Sequence, residues 1–172
     1  MTTTQTTPNS STATERRRQI EAVCLRLLAR REHSRRELFD KLALRGYERS
    51  EVEVVIDELV GQNWQSDERY TEIYVRDRIA KGYGPLRIAY ELQQRGIEGV
   101  DLDAQADEQG GWLNLALDAY QGKYDDAKAL ALSEWAKRSR FLQQRGFNGE
   151  TIKQVFGELK IKLAKADAKK IS

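Results

Sequence analysis

Leu42-Ala43-Leu44-Arg45-Gly46-Tyr47, Leu92-Gln93-Gln94-Arg95-Gly96-Ile97 and Leu142-Gln143-Gln144-Arg145-Gly146-Phe147 state one pattern three times, at intervals of 50 residues. Leu precedes the Arg-Gly pair by three positions, and a large apolar residue follows it. Self-similarity at such a period marks a repeat architecture. The likeness extends outward from the quoted stretches. Val52, Val55, Ile56 and Leu59 recur as Ile152, Val155, Phe156 and Leu159, 100 residues later, with the i, i+3, i+4, i+7 spacing of a helical stripe. Upstream, Ile20, Val23, Cys24, Leu27 and Leu28 form a stripe that Tyr70, Ile73 and Tyr74 echo. The fold expected is all-α: three tandem three-helix repeats over residues 15–63, 64–111 and 112–165. A Ser/Thr-rich disordered tail is expected over residues 1–14 and a short tail over 166–172. The middle unit keeps only Leu102 and Ala106 in its last helix. In the third, Gly122 to Asp126 reads as a loop insertion.

Capping chemistry sets the boundaries. Ser34-Arg35-Arg36-Glu37 and Ser50-Glu51-Val52-Glu53 both fit the capping box, in which the Ser side chain satisfies an orphan N–H and Glu reaches back. In Lys81-Gly82-Tyr83-Gly84-Pro85, Gly82 ends a helix and Pro85 begins the next. The Gly of each Arg-Gly pair stands where a helix must stop, in the left-handed conformation that a β-carbon disfavours. From Lys160 onwards, Lys, Ala and Asp mix without caps and read as a fraying helix end.

Of 172 residues, 40% are hydrophobic, which suffices for a small core, and 33% are charged, which demands an ionic surface. Prolines stand only at Pro8 and Pro85, so long helical runs are uninterrupted, and no segment alternates convincingly enough to be a strand. The lone cysteine, Cys24, rules out an internal disulfide and lies in an apolar stripe, as a buried structural thiol would. No apolar run approaches membrane-spanning length and no secretory signal is apparent, so a cytoplasmic protein is expected.

The net charge of +2 conceals segregation. Residues 16–49 hold eleven Lys or Arg against five Asp or Glu, and residues 97–134 hold two against nine. Residues 69–95 and 135–153 are again basic. Such a distribution suits phosphate contacts or a partner of complementary charge.

Enzyme chemistry is missing. No Gly-x-Ser-x-Gly elbow, His-Glu-x-x-His pair, dinucleotide fingerprint or P-loop occurs, and Gly82–Gly84 lacks the Lys-Ser/Thr ending of a phosphate loop. The single His33 and Cys24 form neither a metal set nor a nucleophile pair. Asp101/Asp103 and Asp125/Asp126 read as caps or solvated turns. Neither catalytic residue, nor cofactor, nor metal is expected. Tyr70, Tyr74, Tyr83 and Tyr90 lie among Arg69, Arg76, Arg78, Lys81 and Arg87 in the manner of a stacking-plus-phosphate surface, with core packing the plainer reading for Tyr70 and Tyr74. Trp64, Trp112 and Trp135 stand at boundaries where they would fill inter-repeat seams.

Ser66 to Tyr70, Tyr74 to Arg78, Lys81 to Ile88, Glu91-Leu92 and Arg95-Gly96-Ile97 together resemble the central motif of the RecX family. Arg140 to Phe147 resembles its C-terminal motif. Ser34, Glu37-Leu38, Lys41-Leu42 and Arg45-Gly46 are similar to its N-terminal one. The resemblance implies tandem three-helix repeats in an elongated, curved array, and a negative regulator of the RecA recombinase. Such a protein would bind in the groove of the RecA–single-stranded-DNA filament and restrain filament extension, ATPase, strand exchange and coprotease activity. Its roles would fall in homologous recombination, DNA repair and the SOS response. On that reading Arg26, Arg30 and Arg35 of the first unit and Arg76, Lys81 and Arg87 of the second face RecA or DNA, and the protein works as a monomer. The rival reading is a stand-alone helix-turn-helix-like DNA-binding protein, with helices from Ser34 to Gly46 and Ser50 to Leu59 in a major groove.

Overall fold

The computed structural model describes residues 10–165. The first three-helix unit is α1 (Ser10–Leu28), α2 (Arg35–Ala43) and α3 (Arg49–Gly61). The second is α4 (Asp67–Ala80), α5 (Pro85–Gln93) and α6 (Leu102–Asp107). The third is α7 (Gly111–Gln121), α8 (Leu132–Arg145) and α9 (Gly149–Glu158). Because α1 begins at Ser10, residues 10–14 of the expected tail are helical, while residues 1–9 and 166–172 lie outside the described part. By packing, the chain divides into two compact units, one ending at Thr71 and the other beginning at Glu72.

The Arg-Gly pattern is explained by the way each second helix stops. The N–H groups of Tyr47, Ile97 and Phe147 donate to the carbonyls of Leu42, Leu92 and Leu142 at 3.2, 3.1 and 3.1 Å. Gly46, Gly96 and Gly146 sit between them with φ of 79, 75 and 97°. This is the Schellman motif, whose closing bond also brings the Leu and the following apolar residue together. Leu42 and Leu142 are fully buried, and Tyr47 and Phe147 pack into the same clusters as their respective leucines. The six-residue signature is therefore a helix terminator that doubles as a piece of core.

In the first unit Ile20 and Cys24 of α1, Leu38 and Leu42 of α2, and Val52, Val55, Ile56 and Leu59 of α3 form one buried cluster. Each such side chain contributes about 1.5–3 kcal/mol by leaving water. Burial, helped by the nearby Glu21 carboxylate, pushes the Cys24 thiol up to about 11, so it stays protonated and inert. The Ser34 capping box is present, with Glu37 N–H donating to Ser34 Oγ at 3.1 Å. The second expected box is displaced. Glu48, not Ser50, caps α3, and its N–H donates to Glu51 at 3.1 Å, because the helix starts two residues earlier.

The stripe expected on α4 holds only at its start. Tyr70 is buried, as its alignment with Ile20 predicts, but Thr71, Val75 and Ile79 complete the buried face, whereas Ile73 is 54% exposed and Tyr74 only half-buried. From Thr71 onward a burial spacing of i, i+4, i+8 sits one residue out of register with the alignment to Cys24. As expected, α6 buries Leu102 and Ala106 and is only six residues long.

In the third unit Ala116, Tyr120, Leu142, Phe147, Ile152, Val155 and Phe156 make the core. Trp135, partly buried, packs against it, edge-on to Phe156 at 4.4 Å, and fills no seam. Trp64 is 57% exposed and fills none either. Trp112 does bridge α6 and α7, donating from Nε1 to Asp103 at 2.8 Å. Over residues 160–164 the expected fraying helix is replaced by a turn at Lys160 (φ 55°) and a short ladder; Lys165 is helical, and the rest of that stretch lies outside the described residues. There β2 (Lys162–Leu163) pairs in parallel with β1 (Ala129–Leu130). Two-residue strands are too short to carry an alternation, so no periodicity announces them.

Candidate functional site

Two sequence motifs, one recurrent and one unique, meet in the second compact unit. Gly84 N–H donates to the Arg145 carbonyl at 2.7 Å, and Leu86 N–H donates to the Gly146 carbonyl at 3.0 Å. The Lys81-to-Pro85 block is thus laid, backbone on backbone, against the third Arg-Gly pair. A β-carbon at Gly84 would stand 2.6 Å from the Gly146 carbonyl, and one at Gly146 would stand 2.5 Å from Arg87. Both glycines are required by close approach, and Gly146 by its left-handed backbone as well.

The three arginines of the repeated pair behave differently. Arg45 and Arg95 each donate from Nη1 to the carbonyl four residues earlier, Lys41 at 2.6 Å and Glu91 at 2.7 Å. Arg145 instead reaches Lys81 O at 2.6 Å and Gly82 O at 3.4 Å. The same side chain that closes its own helix in two repeats clasps a neighbouring repeat in the third.

Beside this seam, cations and aromatic rings alternate. Tyr74 lies under Arg95 (4.6 Å) and Arg78 (4.9 Å), and Tyr83 is approached by Arg87 at 4.1 Å, Arg145 at 5.4 Å and Arg78 at 5.5 Å. Each cation–π contact in a partly desolvated place is worth about 0.5–2 kcal/mol. Glu91 holds the group together, accepting from Tyr74 Oη at 2.6 Å and pairing with Arg78 at 2.8 Å and Arg87 at 3.0 Å. Burial works to raise the Glu91 carboxyl. The hydrogen bonds from Tyr74 and Arg87 and the charges of Arg78 and Arg87 outweigh burial and hold it below the ordinary carboxylate range. Tyr74 is pushed the other way, by burial and then by its bond to Glu91.

Of the residues expected to face a partner, Arg26, Arg30 and Arg76 are exposed and make no ion pair among the described residues. Lys81 is exposed but bonded to Asp77 at 2.8 Å. Arg35 is held by Asp57 at 2.5 Å, and Arg87 by Glu91, Tyr83 and the Gln144 carbonyl at 3.3 Å. These last two act first in packing. Arg18, Arg36 and Arg140, outside the expected set, are likewise exposed and carry no ion pair among the described residues. Their one signal was membership of a basic segment. Much of the basic excess of the first compact unit is consumed internally: Arg16 pairs with Glu51, Arg17 with Glu58, Arg31 with Glu37 and Arg69 with Glu32.

No group of His, Cys, Asp and Glu among the described residues could hold a metal ion. His33 is buried, its Nδ1 3.0 Å from the Arg31 carbonyl, so it belongs to the fold and to no reactive set. Asp101 caps α6, accepting from Ala104 N–H at 3.1 Å, and Asp125 pairs with buried Arg138 at 2.9 Å. No described helix is long and apolar enough to cross a membrane.

Family models described as the first, second and third three-helix domains of RecX match residues 22–59, 66–104 and 113–156. The chain is 43% identical over 136 residues to the regulatory protein RecX of Acidithiobacillus ferrooxidans, covering 79% of this chain and 87% of that protein. It is 41% identical over 137 residues to that of Legionella pneumophila, covering 79% and 91%. The fold is similar to the crystal structure of RecX from Lactobacillus salivarius, with a TM-score of 0.66 and 20% identity over 85% of this chain and 97% of that one. A second crystal structure, of a regulatory protein RecX, aligns with a TM-score of 0.72 and 21% identity, covering 90% and 81%.

Proposed function

The chain belongs to the RecX family, and from that premise we propose that this regulatory protein acts on the RecA recombinase by occupying the groove of its filament on single-stranded DNA. The observation that carries this reading is the set of exposed arginines on separate repeats that the fold leaves unpaired, above all Arg26, Arg30 and Arg76. Cations kept solvated and free of internal carboxylates are available to phosphates or to an acidic protein face. Spread over several repeats, they make many weak contacts to a polymer, and linkage raises their effective concentration. Inhibition by occupancy requires no reactive group. Occupancy of the groove is the means by which filament extension, ATP hydrolysis, strand exchange and coprotease activity would be restrained. The protein acts in the cytoplasm as a monomer. Lys81, Arg35 and Arg87 contribute after exchanging an internal partner for an external one.

Co-sedimentation with recombinase filaments on single-stranded DNA, alongside an ATPase titration, tests the reading. Binding and inhibition at protein well below the recombinase concentration are expected. Filaments that neither bind the protein nor slow their turnover at saturation would overturn it. Tight binding to one duplex sequence in their place would favour the helix-turn-helix reading.

A further inference from the structure

A cleft of about 590 Å³ opens beside the seam between the second and third repeats, inside the range of about 300–1,000 Å³ typical of small-ligand sites. Ile79, Leu115 and Phe141 give it an apolar wall, and Lys81, Lys123 and Arg145 line it with charge. Lys123 Nζ lies 4.3 Å and the Arg145 guanidinium 5.0 Å from the centroid of the Phe141 ring. Arg145 is anchored through Nη1 to the Lys81 carbonyl, so its charge is fixed at the cleft by a backbone contact. Lys123 is exposed and makes no ion pair among the described residues, which leaves it nothing to hold in the fold beyond ring faces. Among the lining residues Asp118 is the only carboxylate, so the cleft keeps a positive surplus.

We propose that this cleft seats one nucleotide of a single DNA strand, its base against the apolar wall and its phosphate between Lys123 and Arg145. Sequence-tolerant single-strand binders combine an aromatic ring with flanking cations, as Phe141 stands here beside Lys123 and Arg145. An acidic peptide would satisfy the cations but leave the wall uncovered, so the nucleotide fits the whole lining. The assignment deepens the reading of this protein as a filament regulator, and it rests on that reading for the presence of DNA at this face.

The test uses the full chain and a fluorescein-labelled oligo-dT, followed by anisotropy. Lys123→Glu is expected to weaken binding roughly tenfold, and Lys123→Gln to lower the slope of log affinity against log salt by about one. The control is Lys153→Glu, an exposed charge reversal on α9 that leaves the cleft intact. Amide shifts on adding oligo-dT should centre on Gly82, Gly122 and Lys123. Equal losses in Lys123→Glu and Lys153→Glu, with no shifts at those amides, would reduce the effect to net charge and overturn the proposal. Displacement of oligo-dT by free dTMP at equal nucleotide concentration would assign the cleft to free nucleotides and overturn the single-strand assignment. Recombinase ATPase assayed in parallel keeps the two readings apart. An inactive wild-type regulator that still binds oligo-dT through Lys123 would sink the filament reading alone.

Discussion

Gly46 and Gly146 occupy equivalent places in the repeat, yet their surroundings differ. A β-carbon at Gly46 meets nothing within 4 Å, while at Gly146 it would meet Arg87 at 2.5 Å. Gly46→Ala should therefore cost only the left-handed backbone penalty, about 1–2 kcal/mol. Gly146→Ala should cost distinctly more and loosen the seam with Gly84. Urea midpoints of the two variants check the order. Equal midpoints would refute the close approach. Glu91 makes a second prediction at this scale. Its depressed carboxyl stabilises the folded state at pH values above the ordinary range near 4.5, and that contribution is lost as pH falls through the depressed folded value. Glu91→Gln should lower the melting temperature at neutral pH and flatten its decline on acidification.

At the scale of the element, caps and terminators decide where helices begin and end. Ser34→Ala removes the acceptor for Glu37 N–H and should destabilise by about 1 kcal/mol, read from a thermal melt. The same turn holds His33. Burial, ahead of the charge of Arg31 and against the hydrogen bond to its carbonyl, keeps this imidazole below its ordinary value of 6.5. The unfolded chain takes up the proton first, so stability is full above 6.5 and declines as pH falls from there towards the folded value. His33→Gln should remove that part of the acid sensitivity. Most elements were legible: Pro85 at the start of α5, Gly82 at the end of α4 and the Ser34 box depend on chemistry within a few residues. The Ser50 cap was not, because Ser50 and Glu48 both carry a plausible partner three residues on, and packing of Val52 and Leu59 fixes the start. On α4 Tyr70 is core as its position suggests, but Ile73 and Tyr74 only imitate a core stripe: Ile73 is exposed and Tyr74 spends its ring on arginines.

For the molecule as a whole, the net charge of +2 understates the field offered to a polyanion. Arg26, Arg30 and Arg76 remain outside any ion pair among the described residues, whereas Arg16, Arg17 and Arg31 are spent on Glu51, Glu58 and Glu37. Neutralising the first three to Gln should weaken filament binding and lower the salt slope by about one for each arginine that touches phosphate. The same treatment of Arg16, Arg17 and Arg31 should change stability more than slope. Co-sedimentation across a salt series distinguishes them, and identical slopes for both sets would refute the division.

The helical repeats and their terminators are written in the primary structure, since a helix end such as Leu42 to Tyr47 is closed by bonds inside six residues. Tertiary structure decided which arginines are spent and which remain free. It sent Arg145 across 64 residues of chain to Lys81 and closed a cleft around Lys123. A helix end is written locally, whereas the partner of a long side chain depends on which surfaces packing brings within reach.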